Sequence, residues 1–267
     1  MPTRDSAWPE GTPCWVDCQV DDTTAAREFY SRLFGWEIAD GPEEFGGYLM
    51  AMKGGRAAAG IGPKPDGMPM PSVWTTYIAA DSADAVAEKI TAAGGQVMMP
   101  PFDVADVGRM FVGLDSTGGA FGVWEAQSHI GVGIFNEPNT LCWNELHTRQ
   151  YAEAKRFYAE VYGYTYTGMM GETEDGYATF ALPGQEEDSV GGICDDTAMP
   201  DAPEAPTHWL TWFAVDDVDA STALVTELGG QAMMPPTDMP VGRASVVAGT
   251  QGEFFGLIAL QAPAEAD

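Results

Sequence analysis

Short runs of apolar residues, many of them alternating with polar ones and bounded by glycine or proline, cover most of the chain. Cys14 to Val20 and Val73 to Ala80 are β-branched and aromatic runs of this kind, which is typical of strands. After the first of them, Phe29, Tyr30 and Leu33 recur at the 3.6-residue spacing of a helix. Three further apolar runs follow that helix. The pattern predicts the element order βαβββ.

The same order returns after Val73. A second helix is predicted from Ser82 to Ala93, with Ser82 as its N-cap and two glycines after its end; Asp22 has the same capping position before the first helix. The predicted strands that follow the two helices lie near Trp36 to Asp40, Tyr48 to Met52, Ala57 to Ile61, Gln96 to Met99, Arg109 to Leu114 and Ala120 to Glu125.

The second half of the chain repeats the first. Trp15 and Asp17 return as Trp143 and Glu145, an offset of 128 residues. Later landmarks return at offsets of 134 or 135, which places an insertion of about seven residues between Gly168 and Pro206. We therefore predict an α+β fold of two tandem domains, each with two paired βαβββ modules in one cupped mixed sheet. The predicted ranges are 1–128 for the first domain (modules about 12–62 and 72–125), 129–139 for the linker and 140–267 for the second domain (modules about 140–194 and 207–260).

Charge and composition narrow the classes of function. The 267 residues include 40 Asp and Glu against 12 Lys and Arg, a formal net charge of -28, which repels nucleic-acid backbones and anionic lipid. No apolar run reaches the ~18 to 20 residues that span a bilayer, and residues 1–10 lack the pattern of a signal peptide. We expect an acidic cytoplasmic protein with no nucleic-acid or membrane partner. The four cysteines form no CxxC pair and are interpreted as buried structural thiols.

The repeated segments carry a family resemblance. The helix end "FY…LFGW", the turn "AGGQV" and the D-x-x-G hairpin before the last strand are similar to those of the vicinal oxygen chelate superfamily, which includes glyoxalase I, bleomycin-resistance proteins and extradiol dioxygenases. The likeness extends from about Gly11 to Leu260 and is greatest to two-domain glyoxalase-like bacterial proteins. It implies that paired modules form a cup and that a ligand binds inside it. One fold of this kind hosts many chemistries.

The resemblance also locates the metal ligands of the metal-dependent members, a set of His, Gln and Glu side chains. By register the four positions of each domain fall on Trp15, Gly60, Thr75 and Gly122, and on Trp143, Gly192, Leu210 and Gly256. Threonine is a poor metal ligand, and the tryptophan, glycine and leucine residues offer no ligand atom. Zn, Ni or Fe requires imidazole, carboxylate or thiolate. We therefore predict no metal at the family's positions and no cofactor.

Strand alternation predicts which side chains line the cups, where small residues at Gly60, Gly122, Gly192 and Gly256 are expected to leave room for a ligand. Asp17 in the first domain, and Glu145 and His147 in the second, are the candidate catalytic residues, because burial of a carboxylate raises its pKa toward that of a general base. Arg109 and Arg243 recur after a glycine and could pair with these carboxylates, clamp an anionic ligand or fix a surface turn. The candidate ligand-binding residues are Trp15, Thr75, Tyr77, Arg109, Trp124, Trp143, His208, Trp212, Arg243 and Phe254.

The histidines leave one alternative open. His129 falls in the linker and is expected to be an exposed loop residue. Glu145 and His147 share one side of a strand, and His208 has the parity of the cup face. These three residues could form a metal or acid–base cluster if their strands adjoin, or they could be a solvated rim.

Two functions follow from these expectations. The first is a small-molecule-binding protein of the resistance or sequestration type, which binds an apolar or cyclic metabolite or antibiotic in an aromatic cup. The alternative is a metal-independent lyase, isomerase or glyoxalase-like enzyme with Asp17 or Glu145 as general base. Because one chain already pairs its modules, a monomer is expected, although a dimer is compatible with the sequence.

Overall fold

The chain forms two curled sheets in a computed structural model, which describes residues 2–41, 46–65, 67, 70–168, 176–198 and 205–260. The α+β class and the two tandem modules of each half are as predicted. Much of the predicted insertion between Gly168 and Pro206 lies outside the described residues, at 169–175 and 199–204.

The first sheet contains nine strands. Its central pair, β1 and β5, is antiparallel, and each of these strands pairs in parallel with the last strand of its own module, β4 or β9. The order across the sheet is β2-β3-β4-β1-β5-β9-β8-β6, with β7 paired to β8. The elements are β1 Pro13–Val20, α1 Thr23–Phe34, β2 Glu37–Asp40, β3 Leu49–Lys53, β4 Arg56–Pro63, β5 Val73–Ala79, α2 Ala83–Ala92, β6 Gln96–Val97, β7 Phe102–Val104, β8 Gly108–Leu114 and β9 Ala120–Ala126.

The second sheet repeats this topology with eight strands, in the order β11-β12-β13-β10-β14-β17-β16-β15. Its central pair is β10 and β14, again flanked by parallel partners. The elements are β10 Thr140–Thr148, α3 Tyr151–Tyr162, β11 Thr165–Gly168, β12 Tyr177–Ala181, β13 Ser189–Asp195, β14 His208–Ala214, α4 Val218–Glu227, β15 Gln231–Met239, β16 Gly242–Ala248 and β17 Phe254–Leu260. A short 3-10 helix, Asp196–Ala198, follows β13.

The two copies differ at the edge strand that contains the repeated Met-Met-Pro-Pro segment. In the first domain this edge is two short strands, β6 and β7, where one strand near Gln96 to Met99 was predicted. In the second domain β15 continues through Pro235 and Pro236. Proline is tolerated there because an edge strand can leave a backbone position without a hydrogen-bond partner.

The helix-bearing faces of the two sheets pack against each other. Phe34 of α1 lies 4.9 Å, between ring centroids, from Phe213 of the second domain. Phe121 of the first domain likewise lies 5.6 Å from Tyr158 of α3. Each first module therefore shares its apolar core with the second module of the other domain. Because the helix sides are buried in this way, the concave cup faces lie on the outer sides of the molecule.

A repeated buried hydrogen-bond chain links the domains. In one copy, Trp74 Nε1 donates to Tyr30 Oη at 3.0 Å, and Tyr30 Oη donates to Glu253 Oε1 at 2.8 Å. In the other, Trp209 donates to Tyr158 at 3.0 Å, and the tyrosine donates to Asp115 at 3.0 Å. Each series of hydrogen bonds joins a helix of one domain to a carboxylate of the other domain. The pairs satisfy polar groups that would otherwise be costly to bury.

No helix among the described residues has both the length and the apolar character needed to cross a membrane.

The interdomain hydrogen bond can be tested by removing one hydroxyl. Tyr30→Phe leaves Trp74 Nε1 and the buried Glu253 carboxylate short of a partner, so we expect the free energy of unfolding to fall by about 1 to 3 kcal/mol. Urea denaturation measures the change. The control is Tyr151→Phe, at a half-buried position on α3, which we expect to change stability by no more than about 0.5 kcal/mol. Equal effects of the two substitutions would contradict this account of the interface.

Candidate functional site

Aromatic side chains fill the space above the glycines of each cup. A Cβ atom added at Gly60 would lie 1.8 Å from Tyr48 Oη, and one at Gly192 would lie 2.1 Å from Tyr177 Oη. A Cβ added at Gly256 would similarly meet the ring of Trp212 at 2.1 Å. The sequence suggested that these glycines leave room for a ligand. They instead make room for the protein's own rings.

Asp17 lies at the centre of the first cup and is 5% exposed. Its Oδ2 accepts hydrogen bonds from Tyr77 Oη at 2.9 Å and Tyr48 Oη at 3.3 Å, and Trp15 Nε1 donates to the Tyr48 hydroxyl at 3.0 Å. Its Oδ1 is buried and has no hydrogen-bond partner among the described residues. Burial raises the Asp17 pKa to about 7, because desolvation outweighs the two tyrosine hydrogen bonds that lower it.

His129 was expected to be exposed, and this prediction was wrong. Its ring lies edge-on to Trp15 at 4.4 Å and to Trp124 at 5.4 Å between centroids. The Trp124 indole nitrogen donates to the His129 carbonyl oxygen at 2.8 Å, which holds the linker against the cup. Burial lowers the His129 pKa to about 4, so this ring is neutral at pH 7. The first cup is therefore covered by the linker.

Glu145 has the corresponding position in the second cup, with more partners. Oε1 accepts from Trp212 Nε1 at 2.9 Å and contacts His147 Nε2 at 3.0 Å, and Oε2 accepts from Tyr177 Oη at 2.9 Å. Trp143 Nε1 donates to the same tyrosine hydroxyl at 3.0 Å. Both carboxylate oxygens are thus engaged, whereas Asp17 retains a free oxygen.

His147 connects Glu145 to a second buried carboxylate. Its Nδ1 lies 2.8 Å from Asp196 Oδ1, and its ring stacks on His208 with centroids 5.1 Å apart and planes 14° apart. Burial opposes a charge on His147, but the hydrogen bonds with Asp196, Cys194 and Glu145 outweigh it and raise the His147 pKa to about 12. Burial, with the nearby His147, lowers the His208 pKa. The structure therefore brings Glu145, His147 and His208 together, the arrangement left open by the sequence.

Arg109 and Arg243 do not reach the cups. Arg109 lies on the helix side of β8, where it makes a bidentate ion pair with Asp84 of α2 at 2.9 and 3.0 Å. Arg243 makes the same pair with Asp219 of α4. Strand alternation directs both guanidinium groups away from the cup face, so the expected pairing with Asp17 or Glu145 does not form. The contacts support the alternative that these arginines fix the surface.

Other predicted lining residues have distinct environments. Thr75 is the register partner of Asp17 on β5. Trp124 is buried beside the linker, whereas Phe254, at the end of β17, is 49% exposed. Trp143 and His208 are partly exposed around Glu145. Within the described residues, the second cup thus offers more accessible aromatic surface than the first.

Four contributors to these networks were not among the predicted site residues: Tyr48, Tyr177, Cys194 and Asp196. The tyrosines recur at nearly the repeat offset, a signal that the sequence contained. Cys194 was interpreted as a structural thiol. Asp196 gives no signal of its own, because it reaches His147 only through the turn after β13.

The residues at the family's metal positions do not fit a metal. The glycine positions that would carry carboxylates are packed against rings, and Trp15 and Trp143 donate their indole hydrogens to tyrosines. A tryptophan or leucine side chain supplies no ligand atom for Zn, Ni or Fe.

The paired βαβββ modules define a class of cup-forming proteins, and comparisons with known families agree. The model of the Glyoxalase/Bleomycin resistance protein/Dioxygenase superfamily matches residues 14–123 and 140–255. The chain belongs to this superfamily, which confirms the family inferred from the repeated motifs.

Two relatives match nearly the whole chain. A protein of Mycobacterium bovis named "Putative glyoxylase CFP32" is 44% identical over 263 residues, covering 97% of this chain and 98% of the relative. The anthracycline biosynthesis protein DnrV of Streptomyces peucetius is 33% identical over 270 residues, covering 94% of each chain.

The fold also matches a solved structure, the Mn(II)-bound glyoxalase from Novosphingobium aromaticivorans. The TM-score is 0.64 at 15% identity, covering 95% of this chain and 84% of that one. At this identity the likeness concerns the fold alone.

The buried Asp17 carboxyl gives a pH prediction. Its pKa is about 7 in the folded protein, against 3.8 for an ordinary aspartate, so the folded state binds the extra proton. Its contribution to stability is fully present below about pH 4 and is lost as pH rises through 7, by up to roughly 4 kcal/mol. Relative to Asp17→Asn, the wild type should therefore lose stability over this range in urea denaturation.

Asp216→Asn, at an exposed position, serves as the control and should leave the pH dependence unchanged. Parallel stability curves for the wild type and Asp17→Asn would show that the carboxyl has no raised pKa.

Proposed function

We propose that the protein binds a small cyclic organic molecule in the cup of its second domain. The observation that carries this proposal is the difference between the cups. Trp15 is 3% exposed under His129, whereas its repeat counterpart Trp143 is partly exposed and donates to Tyr177. Accessible aromatic rings around a few polar groups suit a planar ligand, because rings stack while polar groups fix orientation.

The polar groups suit a ligand with hydroxyl or carbonyl substituents. Glu145 is held in place by donors on both oxygens, and the partly exposed His208 adds a ring nitrogen, Nε2, that can accept a hydrogen bond. Relatives named for anthracycline biosynthesis support a cyclic ligand, since an anthracycline is a planar polycyclic compound. Binding without chemistry would make this a sequestering protein.

A titration with an anthracycline tests the proposal, monitored by the change in ligand fluorescence. Trp143→Leu removes the accessible ring, so we expect about 1 to 2 kcal/mol weaker binding, roughly a tenfold higher Kd. Trp15→Leu is the matched control, because it removes the equivalent indole and the equivalent tyrosine hydrogen bond from the covered cup. Its Kd should remain that of the wild type.

Circular dichroism establishes that both variants are folded. Equal loss of affinity in the two variants would contradict a site in the second cup. Native mass spectrometry of the freshly purified protein would identify a co-purified ligand, and a mass that disappears only in Trp143→Leu would support the proposal.

A second candidate is a metal-independent acid–base enzyme with Asp17 as the base. The free Oδ1 atom and the pKa of about 7 favour it. Access to Asp17 would require movement of the linker around His129. For any compound that the wild type both binds and converts, Asp17→Asn should abolish turnover with binding retained, while Glu145→Gln should retain turnover. Absence of turnover for every bound compound would favour sequestration.

A further inference from the structure

The second domain contains a cluster of metal-binding side chains displaced from the family's positions. His147, Cys194 and Asp196 each offer a ligand atom, and these atoms lie within 4.8 Å of one another. Among the described residues, this is the one group of three or more side chains placed to hold a metal ion. Cys194 is 1% exposed and Asp196 is 4% exposed, so the donors are withdrawn from bulk water.

The strand register explains why these residues meet. His147 of β10 is the direct partner of Cys194 on β13 and of His208 on β14. Asp196 follows β13 in the short 3-10 helix and turns back toward the same imidazole. This row lies four residues along β10 from Trp143, or roughly 13 Å at the usual rise of a strand. The cluster therefore differs from the positions implied by the family resemblance.

We propose that His147, Cys194 and Asp196 bind one divalent transition-metal ion of the zinc or cobalt type. Imidazole, thiolate and carboxylate are the ligand set that zinc takes, and three protein ligands leave one coordination position open. Nδ1 of His147 already contacts Asp196 at 2.8 Å. Ligand atoms on a tetrahedral ion at bond lengths of about 2 Å are about 3.3 Å apart, so a small widening of this contact admits the ion.

Hydrogen bonds around the cluster resemble those that orient the ligands of known metal sites. Nε2 of His147, on the opposite side of the ring, lies 3.0 Å from Glu145 Oε1, which resembles the carboxylate–histidine–metal arrangement. His208 Nδ1 lies 2.9 Å from the Pro206 carbonyl oxygen, which can only accept, so the hydrogen is on Nδ1 and Nε2 keeps its lone pair.

Charge balance also favours a cation. Glu145 and Asp196 lie on opposite sides of one imidazole, and metal binding would replace the proton on His147 Nδ1 and the proton on the Cys194 thiol. Each replacement forms a bond from nitrogen or sulfur to the ion and releases the proton to solvent. No oxidant or reductant is required.

The first domain provides an internal comparison. The equivalent row there is Gln19, Gly62 and Val73, by the same strand pairings. None of these side chains offers imidazole, thiolate or carboxylate. The proposed ion should therefore bind once per chain.

Cobalt binding to chelator-treated protein tests the proposal without any organic ligand. We expect saturation at about one Co²⁺ per chain, with a thiolate-to-cobalt charge-transfer band in the near ultraviolet and displacement of cobalt by Zn²⁺. Cys194→Ser should remove the charge-transfer band and weaken binding at least about tenfold. Asp196→Asn and His147→Gln should also weaken cobalt binding. Because both variants keep the Cys194 thiolate, any cobalt that still binds should show the charge-transfer band.

Cys142→Ser is the control, because Cys142 is a partly buried cysteine on β10, the strand of His147, and its thiol contacts the Trp212 carbonyl oxygen instead of the cluster. It should retain both the band and the affinity. Absence of the charge-transfer band in the folded wild type, or its persistence in Cys194→Ser, would overturn the proposal. This outcome is distinguishable from failure of the proposed ligand binding, which is measured separately with the organic probe in chelator.

Discussion

Burial of the helix faces between the two sheets is the constraint on which the rest of the structure depends. An amphipathic helix on one side of a sheet leaves apolar surface that a single small domain covers poorly, and here the other domain covers it. The buried tyrosine–carboxylate contacts from α1 to Glu253 and from α3 to Asp115 fix the register of this packing. Because the helix sides face inward, both cups open outward and can diverge without disturbing the core.

The two cups have diverged in different directions. In the first, the linker residue His129 covers the indoles, and Asp17 retains a raised pKa and a free oxygen. In the second, His147 links Glu145 to Asp196 in a polar network, and the aromatic rings remain more accessible. Duplication therefore preserved the shared core and allowed unequal sites. An organic molecule bound near Trp143 and an ion bound at His147 would occupy adjacent parts of one cup.

The sequence was informative about the carboxylates but left the role of the arginines open, for related reasons. Alternation along a strand correctly put Asp17 and Glu145 on the cup face, since side chains of a strand point to alternate sides. The same alternation puts Arg109 and Arg243 on the helix side, where Asp84 and Asp219 are nearer. The recurrence of the arginine in both domains was consistent with a position on either the cup side or the helix side of the sheet. Glycines that indicated space in the sequence instead accommodate rings such as that of Tyr48, which immediately precedes the neighbouring strand β3.

By itself, the sequence determined the α+β class, the two tandem domains and the family, because hydrophobic periodicity, helix caps and the internal repeat are local or repeated signals. The tertiary structure decided which domain covers which helix, that His129 covers the first cup, and that Cys194 and Asp196 meet His147. These features depend on strand register and on turns that bring distant residues within a few ångströms. Such contacts arise from packing among several elements, and no single stretch of sequence specifies them.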